Sequence, residues 1–468
     1  MNRLSLPNED TIAAIATPPG DGGIAIIRIS GPKSTEIIKL IFKTEHRDTG
    51  KASIEYHRLY HGRIIDYKTN DIVDDVLCVF MKSPNSYTGE NVVEIHSHGG
   101  HLVPKKILGM LFSLGIRPAN PGEFSLRAFL NGRMDLAQAE AVSDIINART
   151  DEALKQAELQ LEGIHSDRIC EFKDTIMDIL AEIEAQVDFP EEDLDPIVKT
   201  SLYNRTNDLI KDLTTLLNTY EEGRIIKYGI RTAILGKPNV GKSSLLNRLL
   251  MKDRAIVSHL PGTTRDFIEE SIDIRGLPLV LVDTAGIRVT VDEIEHAGVR
   301  IARKKADEAE LLLIVLDGST QLEQDDTEVL KHKNGKKSLI VVNKSDLGLK
   351  LSPDTLSALI PDNRIIYTSA KAGTGIEELK DAVKELLTGG ISIKDRTEII
   401  ITELRHKLAL ENAGSRLYSF LELLNKGESP EFLAIDLRSA LDSLGEITGE
   451  ITTEDILGRI FSKFCIGK

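Results

Sequence analysis

Residues 230–250, IRTAILGKPNVGKSSLLNRLL, constrain this chain more than any other stretch. An apolar run suited to a buried strand leads into G-x-x-x-x-G-K-S at 236–243, and a helix-forming run follows at once. The glycines let backbone N–H groups wrap a phosphate chain, and the start of the helix adds positive potential. Lys242 is expected on the β- and γ-phosphates and the Ser243 hydroxyl on Mg2+, with Asn239, Val240, Gly241 and Ser244 around them.

Three more motifs follow in order. LPLVLVDTAG (277–286) reads as a strand ending in Asp283, which can order Mg2+ through water. Thr284 and Ala285 lead from it to Gly286, whose N–H can donate to the γ-phosphate. SLIVVNKSD (338–346) sets Asn343, Lys344 and Asp346 at a strand end. Asp346 can accept from the N1 and exocyclic amine of guanine, a pair that adenine does not offer in that geometry. IIYTSAK (365–371) brings the Ser369–Ala370 backbone, followed by Lys371, to the guanine O6. Together the motifs specify GTP. Between the first two lies SHLPGTTRDF (258–267), with Ser258, His259, Leu260, Pro261, Gly262 and Thr263 ahead of Thr264, the expected second Mg2+ ligand and γ-phosphate sensor.

The water-orienting Gln that many GTPases place after this DTAG motif is replaced by Ile287, and no arginine finger is evident beyond the nearby Arg265 and Arg288. Glu293 and Glu295 are the available carboxylates; by chemistry alone Glu295 reads equally as an exposed helix residue. A bound monovalent cation can replace the missing arginine charge. The Asn239 side-chain oxygen and the carbonyls of 258–264 are its candidate ligands.

Around this core the texture changes. Residues 1–120 mix short β-type runs (24–30, 76–81, 92–98) with Gly/Pro turns and read as an α+β domain. Residues 121–227 read as helical, 228–388 alternate strands and helices as in a parallel sheet, and 389–468 read as helix again. The expected architecture is multidomain α/β: an α+β N-terminal domain, a discontinuous helical domain, and a Ras-like P-loop GTPase domain inserted into it. The chain carries 73 acidic against 58 basic residues, a formal charge of −15, so any nucleic-acid contact must be local or shared with a basic partner. Three cysteines without CxxC spacing argue against a disulfide framework or zinc finger and fit a reducing cytoplasm. No apolar run approaches the ~20 residues of a membrane span, and no secretory signal is visible.

The chain resembles the MnmE/TrmE family of tRNA-modification GTPases. The resemblance rests on DTIAAIATPPGDGGIAIIRISG (10–31), SYTGENVVEIHSHGG (86–100), PGEFSLRAFLNGRMDLAQAEAVSDII (121–146), VDFPEED (187–193), GKPNVGKSSLLN (236–247), PGTTRD (261–266), DTAGIR (283–288) and FCIGK (464–468). It implies K+-dependent GTP hydrolysis that drives a conformational change in a two-protein enzyme. The implied partner is the FAD-dependent flavoprotein MnmG (GidA), and the product is an aminomethyl or carboxymethylaminomethyl group at C5 of the wobble uridine of certain tRNAs. It further implies a homodimer through the N-terminal domain, a heterotetramer with the partner, and a 5-formyl-tetrahydrofolate or related tetrahydrofolate as one-carbon source. By position, Asn239, Ser258, Leu260 and Thr263 would hold K+, Ser243 and Thr264 Mg2+, and Glu295 the attacking water. Arg28, Glu94, Arg133 and Lys468 would contact the folate, and Cys465 would serve the modification itself.

Glu94, His96 and His98 also share one strand face and can be read as a metal site, against which the family's variation at these histidines argues. A ribosome- or assembly-associated switch GTPase is the main rival reading. A folate-dependent aminomethyltransferase with a fused regulatory domain is a third.

Overall fold

A computed structural model describes residues 10–44, 55–187, 196–252, 271–282, 307–331, 335–351, 356, 364–389 and 399–468. The N-terminal part is a seven-stranded sheet backed by two helices. Its elements are β1 (Ile12–Ile15), β2 (Ile24–Ser30), α1 (Ser34–Ile41), β3 (Phe42–Thr44), β4 (Leu59–Ile65), β5 (Ile72–Met81), β6 (Val92–His98), α2 (Val103–Ser113) and β7 (Arg117–Pro118). The strand order is β3-β4-β5-β6-β2-β1-β7, antiparallel throughout except for the β1–β7 pair. Strand alternation decides what faces where. Ile27, Ile29, Val93 and Ile95 bury with Ile38 of α1 and Ile107 and Leu111 of α2. Their neighbours Arg28 and Glu94, directly paired in register, fall on the opposite face.

The long helical run of the sequence is three helices after α3 (Glu123–Leu130): α4 (Leu136–Asn147), α5 (Asp151–Leu161) and α6 (Ile164–Val187). Local chemistry makes the breaks. Asp135 and Gln138 form a capping box at the start of α4, and the Thr150 hydroxyl caps α5 at the Ala153 N–H. Next come α7 (Pro196–Leu217) and α8 (Tyr220–Tyr228).

The strand–helix part contains β8 (Ile230–Leu235), α9 (Lys242–Lys252), β9 (Ser271–Ile274), β10 (Leu277–Leu281), β11 (Leu311–Asp317), α10 (Gln324–Lys331), β12 (Lys337–Asn343), β13 (Ile365–Tyr367) and α11 (Ile376–Thr388). The order β13-β12-β11-β8-β10-β9 is parallel apart from β9. Every residue of β11 is buried, as expected for a strand covered on both faces. The chain then adds α12 (Leu404–Lys426), α13 (Pro430–Thr448) and α14 (Glu454–Phe461). α12 and α13 share one apolar core with α6 and α7, which makes the helical part discontinuous in sequence. The architecture is the multidomain one expected.

Candidate functional site

β8 delivers the chain to Gly236, and α9 starts at Lys242. The turn between them takes positive φ at Asn239 (64°) and Gly241 (99°). At Gly241 a side chain has no room: a Cβ would stand 2.2 Å from Asn343 Nδ2. Lys242 Nζ lies across the loop and donates to the carbonyls of Gly236 (2.8 Å) and Lys237 (2.7 Å). Val240 is buried beneath, while Asn239, Ser243 and Ser244 are exposed. Exposed amide and hydroxyl oxygens at Asn239 and Ser243 suit hard cations such as K+ and Mg2+.

The residues expected to read the base gather at the ends of β12 and β13. Asn343, 2% exposed, donates from Nδ2 to the Val240 carbonyl at 2.9 Å and accepts at Oδ1 from the Ala370 N–H at 3.0 Å. In this geometry the Ala370 amide is shared with Asn343 before any base approaches. Lys344 (φ 62°) pairs with Asp317 at 2.6 Å. The Ser369 hydroxyl donates to Asp346 Oδ1 at 2.6 Å and holds that carboxyl below the usual range, so it stands ionised as an acceptor. Sequence reading missed Arg248 of α9. Its Nε donates to the Ala370 carbonyl (3.1 Å) and its Nη2 to the Lys371 carbonyl (2.7 Å), linking the phosphate helix to the base loop. No motif flagged it, because a single Arg on an amphipathic helix looks like a solvated residue.

Ser258, His259, Leu260, Pro261, Gly262, Thr263 and Thr264, with Asp283, Thr284, Ala285, Gly286 and Glu295, lie outside the described residues.

In the N-terminal part Arg28 Nε donates to Glu94 Oε1 at 2.7 Å. The Arg28 guanidinium packs 5.2 Å from the Tyr87 ring centroid and 5.7 Å from that of Phe124. Its Nη1 also donates to the Gly467 carbonyl at 3.3 Å. Beside it stands Lys468, whose pKa is lowered by burial and by the nearby Arg28 charge. Residues 439 positions apart thus share one site. A planar heterocycle carrying an acidic tail fits this donor set: an arginine between aromatic faces, a carboxylate and a lysine. Arg133 is exposed and sits by the 86–91 loop, where a Cβ on Gly89 would stand 3.2 Å from its Cγ. Cys465 is an exposed free thiol whose carbonyl accepts from the Gly122 N–H at 3.5 Å. Behind the site, buried Arg127 is held by Asp10, Glu90 and Glu123, and Glu90 in turn accepts from Ser30 of β2 at 2.7 Å. That network was not legible in sequence; it fixes the 86–91 loop against β2 and α3.

The metal reading of the histidines finds no support in the geometry. His98 Nδ1 bonds Asp74 at 2.8 Å, and among the described residues no group of three metal-ligating side chains forms. His96 Nε2 is buried without a hydrogen-bond partner, 3.6 Å from Glu94 Oε2. Among the described residues no helix is long and apolar enough to cross a membrane.

Comparison with known proteins covers nearly the whole chain. Residues 11–133 match the family model described as GTP-binding protein TrmE N-terminus, and 136–465 that of the MnmE helical domain. The tRNA modification GTPase MnmE of Natranaerobius thermophilus is 45% identical over 98% of this chain and 100% of its own. Its counterpart in Clostridioides difficile is 46% identical over 98% of this chain and 99% of its own. A crystal structure of the G domain of the T. maritima FeoB iron transporter matches 34% of this chain and 98% of its own at 26% identity, with a TM-score of 0.26. A phosphate loop tied through Asn343 to the ends of β12 and β13, set within a chain that the MnmE relatives match over 98% of its length, leads to one assignment: the chain belongs to the MnmE family of tRNA modification GTPases.

Proposed function

We propose that this chain is the GTP-hydrolysing subunit of a complex that adds an aminomethyl or carboxymethylaminomethyl group to C5 of the wobble uridine of certain tRNAs. Residues 228–388 bind and hydrolyse GTP. Residues 1–120 bind the folate and pair two copies of the chain. Residues 121–227 and 389–468 form the helical frame, which ends in FCIGK. The other subunit is the flavoprotein MnmG, in the cytoplasm.

In the nucleotide site Asp346 accepts from the guanine N1 and amine, and the Ser369–Lys371 backbone faces O6. Lys242 turns from the loop carbonyls to the β- and γ-phosphates. Ser243 and Thr264 would hold Mg2+, with Asp283 the candidate for ordering it and Gly286 for sensing the γ-phosphate. Bound K+ supplies positive charge where the phosphoryl group transfers. Asn239, the carbonyls of Ser258 and Leu260, and Thr263 would hold it. Glu295 orients the attacking water, a role that Ile287 cannot fill.

The observation that carries the modification reading is the second built site, Arg28–Glu94 against Gly467 and Lys468. A plain switch GTPase has no use for it. Bound tetrahydrofolate supplies the one-carbon unit there. Arg28 and Lys468 would pair with its carbonyl or anionic groups, Glu94 would accept from its amine, and Arg133 would reach in from the turn after α3, beside the 86–91 loop. Cys465 stands next to this site and serves the modification.

The test is reconstitution. The purified chain, the flavoprotein with FAD and NADH, substrate tRNA, GTP, Mg2+, K+, 5,10-methylene-tetrahydrofolate as one-carbon donor and glycine or ammonium as nitrogen donor are combined, and the wobble nucleoside is read by mass spectrometry. The modified uridine should form only when both proteins and GTP are present. No product, together with nucleotide-dependent binding of the chain to ribosomal particles, would favour the switch reading instead.

A further inference from the structure

Helix α8 belongs mechanically to the nucleotide domain. Ile225 and Ile226 are buried in the same cluster as Leu245 and Leu249 of α9 and Leu313 of β11. Arg224 pairs with Glu310 at 2.7 Å, and Glu310 also accepts from the Arg231 N–H at 3.2 Å. Only Gly229 separates α8 from β8, the strand that ends at the phosphate loop. The returning chain joins the same place. The Ile401 N–H donates to Thr219 Oγ1 at 3.0 Å, and a Cβ on Gly223 would stand 2.2 Å from the Ile401 carbonyl. Both crossings between the two domains therefore sit in one tightly packed junction.

From this junction one amine reaches into the helical domain. Lys227 Nζ, at the end of α8, lies 2.5 Å from Asp144 Oδ2 on α4 and also bonds Glu403 at the start of α12. The Tyr228 hydroxyl donates to the other Glu403 oxygen at 3.0 Å. The three charged side chains are each 15% exposed and wall a cleft of about 730 Å³ that Phe464 also lines.

α4 continues the connection. One turn before Asp144, Glu140 is fixed by Arg405 (2.8 Å) and His406 (2.9 Å). Leu136, Ala139 and Val142 of the same helix pack with Leu457, Phe461 and Phe464. The four residues after Phe464 run straight into the second site. The Lys468 carbonyl accepts from the Phe124 N–H at 3.3 Å, and the Gly467 carbonyl accepts from Arg28 at 3.3 Å.

We propose that Lys227 is the positioning residue that transmits the nucleotide state from the phosphate loop, through α4, to residues 464–468. A half-buried cation shared by two carboxylates on different elements has few alternative arrangements, because separating any partner leaves an unpaired charge only partly hydrated. When β8 shifts with the nucleotide, α8 shifts with it. The ion pair then either drags α4 along or breaks, and this gives the junction two discrete states. The proposal needs the GTP site but does not depend on the folate reading.

The test compares hydrogen exchange of the full-length chain with GDP and with a non-hydrolysable GTP analogue, in the wild type, Asp144→Asn, Lys227→Met and Lys227→Arg. In the wild type, exchange in the peptide covering 464–468 should differ severalfold between the two nucleotides. In Asp144→Asn and Lys227→Met the difference should vanish, with initial GTPase rate and GDP affinity within about twofold of wild type; Lys227→Arg should keep it. Asp144→Asn changes charge and barely shape, so it separates lost coupling from a lost fold, which a melting curve checks. The proposal is overturned if the wild-type peptide ignores the nucleotide, or if Asp144→Asn retains the full difference.

Discussion

Asn343 and Val240 lie 103 positions apart, yet the Asn343 side-chain amide donates to the Val240 carbonyl at 2.9 Å. The end of β12, proposed to read the base, is thereby tied directly to the phosphate loop. The same side chain accepts from the Ala370 N–H, so one residue holds three segments of the nucleotide site in register.

Truncating it should therefore damage binding of the whole nucleotide. In Asn343→Ala the Val240 carbonyl and the Ala370 N–H both lose a partner in a buried setting. GDP affinity should fall roughly ten- to a hundredfold. Titration with a fluorescent GDP checks this. Unchanged affinity would mean that the tie has no part in binding.

Arg248→Met removes the two bonds that hold the carbonyls of Ala370 and Lys371. The phosphate loop is left intact, so the loss should fall on base recognition. Affinity for GDP should drop about tenfold, and the preference for GDP over ADP should narrow. Competition titrations with both nucleotides read it. Equal losses for both would assign Arg248 to α9 stability alone.

In the N-terminal site, Arg28→Met and Glu94→Gln should each weaken binding of 5-formyl-tetrahydrofolate by tenfold or more. GTPase rates should stay near wild type, because neither residue touches the nucleotide domain. Isothermal titration gives the first number and phosphate release the second.

Much of this was legible in the sequence because it depends on spacing. The turn at Asn239 and Gly241 needs residues that tolerate positive φ, and the strand-to-helix context fixes where the loop points. Alternation along 24–30 and 92–98 likewise put Arg28 and Glu94 on the face away from the helices. What was not legible depends on side chains meeting across long separations. Arg127 reads in sequence as a surface ion pair but is 2% exposed among three carboxylates. Lys227 reads as an ordinary end-of-helix cation, and its partners at 144 and 403 are set by the packing of α8 on α4 and α12. Within the stretch 121–227 that reads as helical, the chain breaks at Thr150 and Gly163, since caps and a φ of 92° outweigh periodicity there.

Stability should report the buried Glu140 cluster. Burial alone would raise the Glu140 pKa, but His406 and Arg405 outweigh it and hold the carboxyl down to about 2, against an ordinary value of 4.5. The sign follows from a folded pKa below the unfolded one. The contribution is fully present above pH 4.5 and is lost as pH falls from there toward 2. Glu140→Gln should be destabilised by a few kcal/mol (order of magnitude) at pH 7, with the gap to wild type closing across that window. Urea melts at pH 7, 4.5 and 3 would show it, and a gap that does not change with pH would contradict it.

GTP hydrolysis in this chain is proposed to run on a bound monovalent cation and a carboxylate in place of an arginine finger and a glutamine. The most direct measurement is the initial GTPase rate of the full chain in KCl and in NaCl at equal ionic strength, with Asn239→Ala and Glu295→Ala alongside. Strong stimulation by K+ is expected, lost in Asn239→Ala, with Glu295→Ala nearly inactive while still binding GTP. Equal rates in both salts, with neither substitution altering them, would contradict the account.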